Sequence, residues 1–442
     1  MRCAVVGGGL LGMTAAWNLA KSGHQVTIFE SAPRCGGLAS SWQLGGVVWD
    51  RHYHVTLFSD LSLRVLLREL DLEADLRWVK ARTGFYADGA LYPFSDVLDF
   101  VRFPPLSLVQ KIRLGGTILK ASRIADWRPL ERETAVQWLS RHCGRATVDR
   151  IWLPLLRAKL GPHAERASAA FIWAIIARMY AARRTGSKRE LFGYVKNGYE
   201  RTLRRFEQRL AARGVVIRTL CPVRSVQPHE RGIEIATDSR RDLFDRALIT
   251  LAPPLAVRVC PTLTSEERAR CLGVEYQGII CASALLETPL TPYYITNIAD
   301  DTMPFTAVIE MTALVDRDEV GGNALVYLPK YVTSNDTAFR LDDAAIEESF
   351  LGGLERMHRS FSRKVVRAFR VSRVPFVFPI PTLDYSKRLP PIRTTTPGLF
   401  MASSANIVNG TLNVNETVCL ANGVTPLLIA ESAEALPLAV VA

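Results

Sequence analysis

The sequence predicts an α/β fold: a discontinuous parallel-sheet domain that receives an inserted α+β domain, made of an antiparallel sheet and a helical cap. Three observations predict it. The first thirty residues read as strand, glycine-rich turn, helix and second strand in immediate succession. A further strand-like run, Leu399-Phe400-Met401, stands near the far end. Between them, residues 95–190 carry Leu, Arg and Trp at helical spacing, and residues 270–382 alternate apolar and polar side chains in several runs.

The elements follow in order. Cys3-Ala4-Val5-Val6 reads as a buried strand, Gly7-Gly8-Gly9-Leu10-Leu11-Gly12 as a turn, residues 13–21 as a helix, and Gln25-Val26-Thr27-Ile28-Phe29 as a strand ending at Glu30. This is G-x-G-x-x-G in strand–turn–helix context, a Rossmann-like arrangement. Gly7 permits the tight turn, Gly9 lets backbone approach a pyrophosphate, and Gly12 lets helix and strand pack closely. The helix N-terminus offers unpaired N–H groups and a positive dipole end. Glu30, 18 residues beyond Gly12, places a carboxylate where ribose hydroxyls donate, which favours FAD or NAD over NADP. In the next turn, Pro33-Arg34-Cys35-Gly36-Gly37, adjacent glycines let backbone pass close to a flat ligand, and Arg34 offers donors to phosphate or ribose.

Residues 84–93 read as a hairpin turning at Asp88-Gly89. The helix-rich stretch then forms the cap. Gly193–Tyr199 precedes an amphipathic helix over 200–213 and a strand over 215–218, and Ala247-Leu248-Ile249-Thr250 reads as another strand. The expected pieces are 1–94, 191–268 and 385–442 for the nucleotide domain, 95–190 for the helical insertion and 269–384 for the antiparallel sheet.

The paired motifs resemble the FAD signature of the flavin amine oxidase superfamily, which includes amine oxidases, protoporphyrinogen oxidases, phytoene desaturases and UDP-galactopyranose mutases. Pro397–Ala405 resembles its last flavin-domain strand, and Asn415-Glu416-Thr417-Val418 the opening of its final helix. Trp49–Val55, Trp152–Gly161, Asn297–Asp300 and Tyr385–Pro391 resemble a protoporphyrinogen-oxidase-like bacterial branch. The resemblance implies a Rossmann-like FAD-binding domain. It implies FAD contacts from Gly7, Gly9, Leu10, Leu11, Gly12, Glu30, Ser31, Arg34, Gly36, Gly37, Leu38, His52, Val223, Ala402 and Asn415, with Val223 meeting adenine through its backbone. The final helix then aims its N-terminus at the isoalloxazine pyrimidine edge. Two departures stand out: Val408–Asn413 replaces an acidic-Arg-Gly loop, and Met311 replaces an expected His, which argues against a catalytic role there.

Asp50, His52, Tyr53 and His54 follow the Gly36-Gly37 turn within one short segment. His54 is the candidate catalytic residue, as proton relay or stabiliser of a reduced ring; the structural alternative is hydrogen bonding to backbone. Tyr86, Tyr92, Tyr327 and Tyr331 are candidate cavity residues, with core packing as the alternative. Arg388 and Arg393 are candidates to hold an anionic substrate, with surface salt bridges as theirs.

The expected function is an FAD-dependent oxidoreductase that oxidises or desaturates a small organic substrate by hydride transfer. A redox-neutral isomerase resembling UDP-galactopyranose mutase is the alternative, and a non-catalytic flavin-binding protein a third reading. With no second dinucleotide motif, oxygen, quinone or another acceptor is expected to reoxidise the flavin. The net charge of +12 suits an anionic substrate or acidic lipid, and no nucleic-acid motif is present. Eight scattered cysteines without CxxC spacing argue against a metal cluster and suit a reducing cytoplasm. The first strand-like run begins at Cys3, so no signal peptide is expected. Residues 167–182 are too short to span a bilayer, but leave open peripheral attachment at the inner membrane face through Trp173, Ile175, Ile176, Met179 and Tyr180.

Overall fold

Residues 3–6 are buried because their strand lies at the centre of a parallel sheet. The computed structural model describes residues 1–183, 191–408 and 412–430. Along the chain come β1 (Arg2–Val6), α1 (Leu10–Lys21), β2 (Gln25–Phe29), β3 (Thr83–Ala87), β4 (Ala90–Pro93), α2 (Val97–Arg102) and α3 (Leu108–Ala121). Next are α4 (Leu153–Leu160), α5 (Ala169–Arg183), α6 (Gly198–Ala212), β5 (Val216–Arg218), β6 (Arg246–Ile249) and β7 (Tyr276–Leu286). The last are β8 (Ile295–Ile298), β9 (Ala307–Glu310), β10 (Ala324–Thr333), β11 (Val366–Pro379), β12 (Leu399–Met401) and α7 (Val414–Ile429). Shorter elements are given by residue range.

The parallel sheet has the order β5-β2-β1-β6-β12, so its strands come from widely separated parts of the chain. Val5 is in register with Ile28 on one side and Leu248 on the other, and Ile249 with Met401. Such a sheet must be covered on both faces, which explains its unbroken apolar strands. Leu11 and Trp17 of α1 share one core with Val418 and Val424 of α7 and Phe206 of α6. A second core joins Val6 and Phe29 to Ile233 and Phe244 of a three-stranded antiparallel meander.

The second sheet runs β11-β7-β10-β9-β8-β3-β4 and is antiparallel except where β3 pairs with β8. β7 is buried at all eleven positions rather than on alternate ones. Helix Asp343–Met357 covers one face through Ile346, Phe350 and Leu354, and the other face belongs to a core with Tyr294, Ile309 and Tyr327. The β3–β4 hairpin turns at Asp88 (φ 53°) and Gly89 (φ 71°), as the Asp-Gly pair predicts. It joins the edge of this antiparallel sheet through Thr83–Tyr86 backbone pairing, rather than extending the N-terminal nucleotide-binding piece.

The helical insertion has its own core, built on Trp127, Trp138, Phe171 and Trp173. Of the side chains named for membrane attachment, Trp173 and Ile176 are buried with Ile172, and Ile175, Met179 and Tyr180 are half-buried; Trp173 Nε1 donates to the carbonyl of Ala121 at 3.0 Å, so α5 packs into the core through its buried face. Among the described residues no helix is long and apolar enough to cross a membrane.

Candidate active site

The carboxyl ends of β1, β2, β6 and β12 meet at one edge of the parallel sheet, where this class of fold binds its ligand. Gly7 leaves β1 at φ 110°, a conformation that favours glycine. A Cβ on Gly12 would overlap the carbonyl oxygen of Gly7, so this glycine sets the approach of α1 to β1. Gly9 differs. Its φ of −70° suits any residue, and an added Cβ would meet nothing nearer than Gly37 Cα at 4.0 Å. Gly9 also begins α1 with no side-chain cap, so the first-turn amides face this space without a protein side chain to bind them.

The second glycine turn closes over the first. Gly36 donates to the Gly8 carbonyl at 2.8 Å, and a Cβ on Gly37 would lie 3.2 Å from Gly9 Cα. Glu30 accepts from Gly8 N at 2.7 Å and Ala32 N at 2.8 Å, while Ser31 Oγ stands 3.3 Å from it. The Glu30 backbone is continued by Cys221, whose N–H donates to the Glu30 carbonyl, two residues before Val223. Ala402 is buried just past β12, and its N–H donates to Ile249 O at 2.9 Å. These residues fit an FAD dinucleotide: a cradle of uncapped amides, space beside Gly9 that protein atoms do not fill, and a carboxylate at the tip of β2.

Three expected residues are engaged elsewhere. Arg34 is turned outward, 60% exposed, and pairs with Glu200 at 2.8 Å rather than with the cradle. His52 has both ring nitrogens occupied, Nδ1 by the Leu38 carbonyl (3.1 Å) and Nε2 by Ser372 Oγ (3.2 Å). It braces the glycine turn against β11, and burial lowers its pKa to about 4. Asn415 Oδ1 accepts from Leu63 N at 3.1 Å, so its side chain ties α7 to helix Leu61–Glu69. Asn413 caps α7 by accepting from Glu416 N; Asn409, Gly410 and Thr411 of the variant loop lie outside the described residues.

Behind the cradle, Asp50 accepts from Tyr199 N at 2.8 Å and anchors the N-terminus of α6. Burial raises its carboxyl to about 7. His54 Nδ1 is buried without a hydrogen-bond partner, 4.0 Å from Asp50 Oδ2, and its ring packs on Tyr199 at 4.9 Å. Burial drives His54 down to about 3, which leaves it neutral.

Across the antiparallel sheet the sequence's four tyrosines divide. Tyr86 belongs to the core under helix Asp343–Met357, and Tyr92 packs on Phe103; neither joins the others. Tyr327 is buried, donating to the Asp50 carbonyl at 2.7 Å. Tyr331 shares a 3.0 Å hydroxyl–hydroxyl hydrogen bond with Tyr53. Above them lies Lys159 of α4, which sequence reasoning missed. Its Nζ stands 5.9 Å from the Tyr331 ring and 5.4 Å from Phe378, with no carboxylate or hydrogen-bond acceptor among the described residues. Burial, aided by Arg178, pulls its ammonium down to about 8. Gln277, paired in register with Phe378, is fully buried with neither amide atom bonded. A buried amide left unbonded marks a place where a ligand or water completes the bonding. The signal for Lys159 was present: Trp152, Leu155 and Leu156 precede it on one apolar helix face, which a lysine then interrupts.

Arg388 and Arg393 do not face this chamber. Arg388 donates to Thr382 Oγ1 and the Leu383 carbonyl, and Arg393 lies over Phe400 while donating to Leu427 O. Met311 is buried core, as its departure from the expected His suggests.

Comparison with known proteins decides the family. The family model for flavin containing amine oxidoreductases matches residues 12–413. The chain belongs to that family. Its cofactor is FAD. It is 29% identical over 215 residues to the "Probable zeta-carotene desaturase" of Synechococcus elongatus, covering 43% of this chain and 44% of that one. It is 27% identical over 169 residues to the mitochondrial protoporphyrinogen oxidase of Nicotiana tabacum, covering 36% and 32%. The chain thus spans less than half the length of these curated relatives. An oxidoreductase from Methanosarcina mazei shares the fold, with a TM-score of 0.76 at 18% identity, over 97% of this chain and 100% of that one.

Proposed function

We propose that this flavin amine oxidoreductase oxidises or desaturates a small organic substrate by hydride transfer to FAD, and that Lys159 holds an anionic group of that substrate. The observation that carries the reading is half-buried Lys159, whose Nζ has no carboxylate or acceptor among the described residues and stands over the Tyr331 and Phe378 rings, with the unbonded Gln277 amide in register with Phe378. The bound flavin supplies hydride acceptance, chemistry that side chains lack. The protein's part is to bind, orient and exclude water. Lys159 neutralises and positions the anionic group, Tyr53 and Tyr331 offer hydroxyls to it, and Phe378 walls off solvent. Oxidation that releases hydride also releases a proton; His54, unpartnered at Nδ1, accepts it when Asp50, 4.0 Å away, is ionised and holds the imidazolium.

Lys159 also separates the substrates that the relatives' names suggest. A carotene is a hydrocarbon and has no use for a buried cation, whereas a protoporphyrinogen carries carboxylates. The chamber therefore favours a carboxylated substrate. The mutase alternative loses support because Arg388 and Arg393, its candidate anion ligands, are committed to local backbone and threonine partners.

The test is anaerobic mixing of the FAD-loaded protein with protoporphyrinogen, with ζ-carotene, or with carboxylated and neutral amines, following flavin bleaching near 450 nm. Bleaching by carboxylated compounds supports the whole reading. Bleaching by ζ-carotene alone removes the role of Lys159 but leaves the oxidoreductase. No bleaching, with nucleotide-sugar isomerisation by the reduced protein, transfers the chain to the mutases.

A further inference from the structure

We propose that the outward face of α2 and α3 docks on the surface of an anionic lipid bilayer. Among the described residues, seventeen large apolar side chains are exposed, and seven of them fall within residues 97–119. Val97, Leu98 and Val101 on α2 and Leu108, Val109 and Ile112 on α3 are between 53% and 75% exposed, and Leu119 extends the same row. A surface helix ordinarily buries its apolar stripe and shows polar residues outward. Here the inner faces are already filled. Phe100 and Phe103 stack with Phe85, Tyr92 and Phe94, and Leu114, Thr117 and Ala121 lie beneath α3. The outer aliphatic residues are thus a second apolar face with nothing packed on it, of the kind that marks an interaction site.

The face is held rigidly. Asp96 caps α2 by accepting from Leu98 N and Asp99 N, Ser107 and Gln110 form a capping box on α3, and Lys111 Nζ ties the helices by donating to the Val101 carbonyl at 2.6 Å. Charge selects the occupant. Arg102, Arg113, Lys120 and Arg123 lie on or just beyond the same helices, and among the described residues none of them pairs with a carboxylate, although Lys120 Nζ is bonded to His142 Nε2 and the Arg113 guanidinium lies beside Gly144. The nearby acids are occupied: Asp96 by its cap and Asp99 by Ser95 N. Protein interfaces centre on aromatic and arginine anchors, whereas this patch is purely aliphatic with a cationic rim, which is the chemistry of an acidic headgroup region over acyl chains. The face also lies one helix layer from the Lys159 chamber. α3 receives the Trp173 hydrogen bond from α5, and Phe171 of α5 packs on Phe378 at 5.6 Å.

The experiment uses the FAD-loaded protein in cosedimentation with vesicles of phosphatidylcholine, alone or mixed with phosphatidylglycerol. Wild type is expected to bind the mixed vesicles at least ~10-fold more tightly than phosphatidylcholine alone, since basic residues near the headgroups add attraction for anionic lipid. Leu98→Gln/Ile112→Gln is expected to lose at least ~10-fold of that binding through lost apolar insertion, with flavin spectrum and Tm unchanged. Leu272→Gln, at an exposed position on another surface, is expected to bind as wild type. If the first double variant fails to fold, Arg102→Gln/Arg113→Gln takes its place and is expected to lose the preference for phosphatidylglycerol. Failure of wild type to sediment with the mixed vesicles, or equal binding by the variants, overturns the proposal. So does a wild-type dimer that Leu98→Gln/Ile112→Gln converts to monomer without any vesicle binding, since the face is then a self-interface. The flavin spectrum reads out separately, so these results leave the proposed oxidoreduction untouched.

Discussion

Gly9 and Gly12 lie three residues apart in one motif, yet alanine at each should fail for a different reason. At Gly12 the added Cβ overlaps the Gly7 carbonyl oxygen and approaches Gly7 C at 3.2 Å and Val5 Cγ1 at 3.1 Å. Relief requires moving α1, with nine buried residues, away from the sheet. Overpacking of this kind costs about 1–3 kcal/mol, which for a chain of 442 residues corresponds to a Tm loss of about 1–3 °C. At Gly9 the backbone is already in an ordinary extended conformation and the nearest protein atom is 4.0 Å away. Gly9→Ala therefore leaves the apoprotein as stable as wild type, or slightly more so, because alanine restricts the unfolded chain. The methyl instead enters the space assigned to the pyrophosphate. Loss of one or two charge-assisted amide contacts there weakens FAD by about 2–3 kcal/mol, roughly 30- to 150-fold. The assay is calorimetry of both apoproteins with FAD titration by flavin fluorescence. Wild-type FAD affinity in Gly9→Ala refutes the phosphate assignment. A wild-type Tm in apo Gly12→Ala refutes the packing argument.

Glu30→Ala should weaken FAD by about 1–3 kcal/mol through loss of a charge-assisted ribose bond; unchanged affinity in the same titration means the carboxylate serves only Gly8 N and Ala32 N. Lys159→Met should retain FAD and lose at least ~10-fold in affinity for a carboxylated substrate. Because the folded ammonium is depressed to about 8, its burial cost is fully present below that pH and fades toward 10.5. Apo Lys159→Met should thus be about 1–3 kcal/mol more stable than wild type at pH 7, converging above pH 10; calorimetry across that range checks the sign. Asp50 behaves oppositely, with a folded carboxyl raised to about 7. Its protonated form is stable below pH 4, and stability is lost as pH rises through 7. Asp50→Asn, which can still accept from Tyr199 N, should match wild type near pH 4 and exceed it at pH 8 by up to about 4 kcal/mol. Parallel pH profiles for the two proteins would contradict this.

The backbone geometry of the candidate cradle was legible because its residues are close in sequence. Gly7, Gly9, Gly12 and Glu30 act through backbone geometry and a strand end, which a single βαβ run specifies. The Asp88-Gly89 turn was legible for the same reason. What escaped is what depends on distant chain segments meeting. Lys159 reads as one more basic residue until α4 is placed over Tyr331 and Phe378. Tyr86 and Tyr327 look alike in their strands, yet alternation on different strands sends them to opposite faces of the sheet. The apolar richness of residues 167–182 suggested a membrane surface, but Phe171, Ile172, Trp173 and Ile176 belong to the core with Trp138. The exposed face instead belongs to α2 and α3, whose shorter apolar runs alternate with arginine and lysine. Arg34 sits at the right place in sequence, but Glu200 on α6 claims its guanidinium.

The most direct measurement is the visible absorption spectrum of the purified protein, with the released cofactor quantified after denaturation. The account predicts oxidised-flavin bands near 375 and 450 nm, about one FAD per chain, and bleaching on anaerobic dithionite reduction. A colourless protein that takes up no FAD on reconstitution would contradict it.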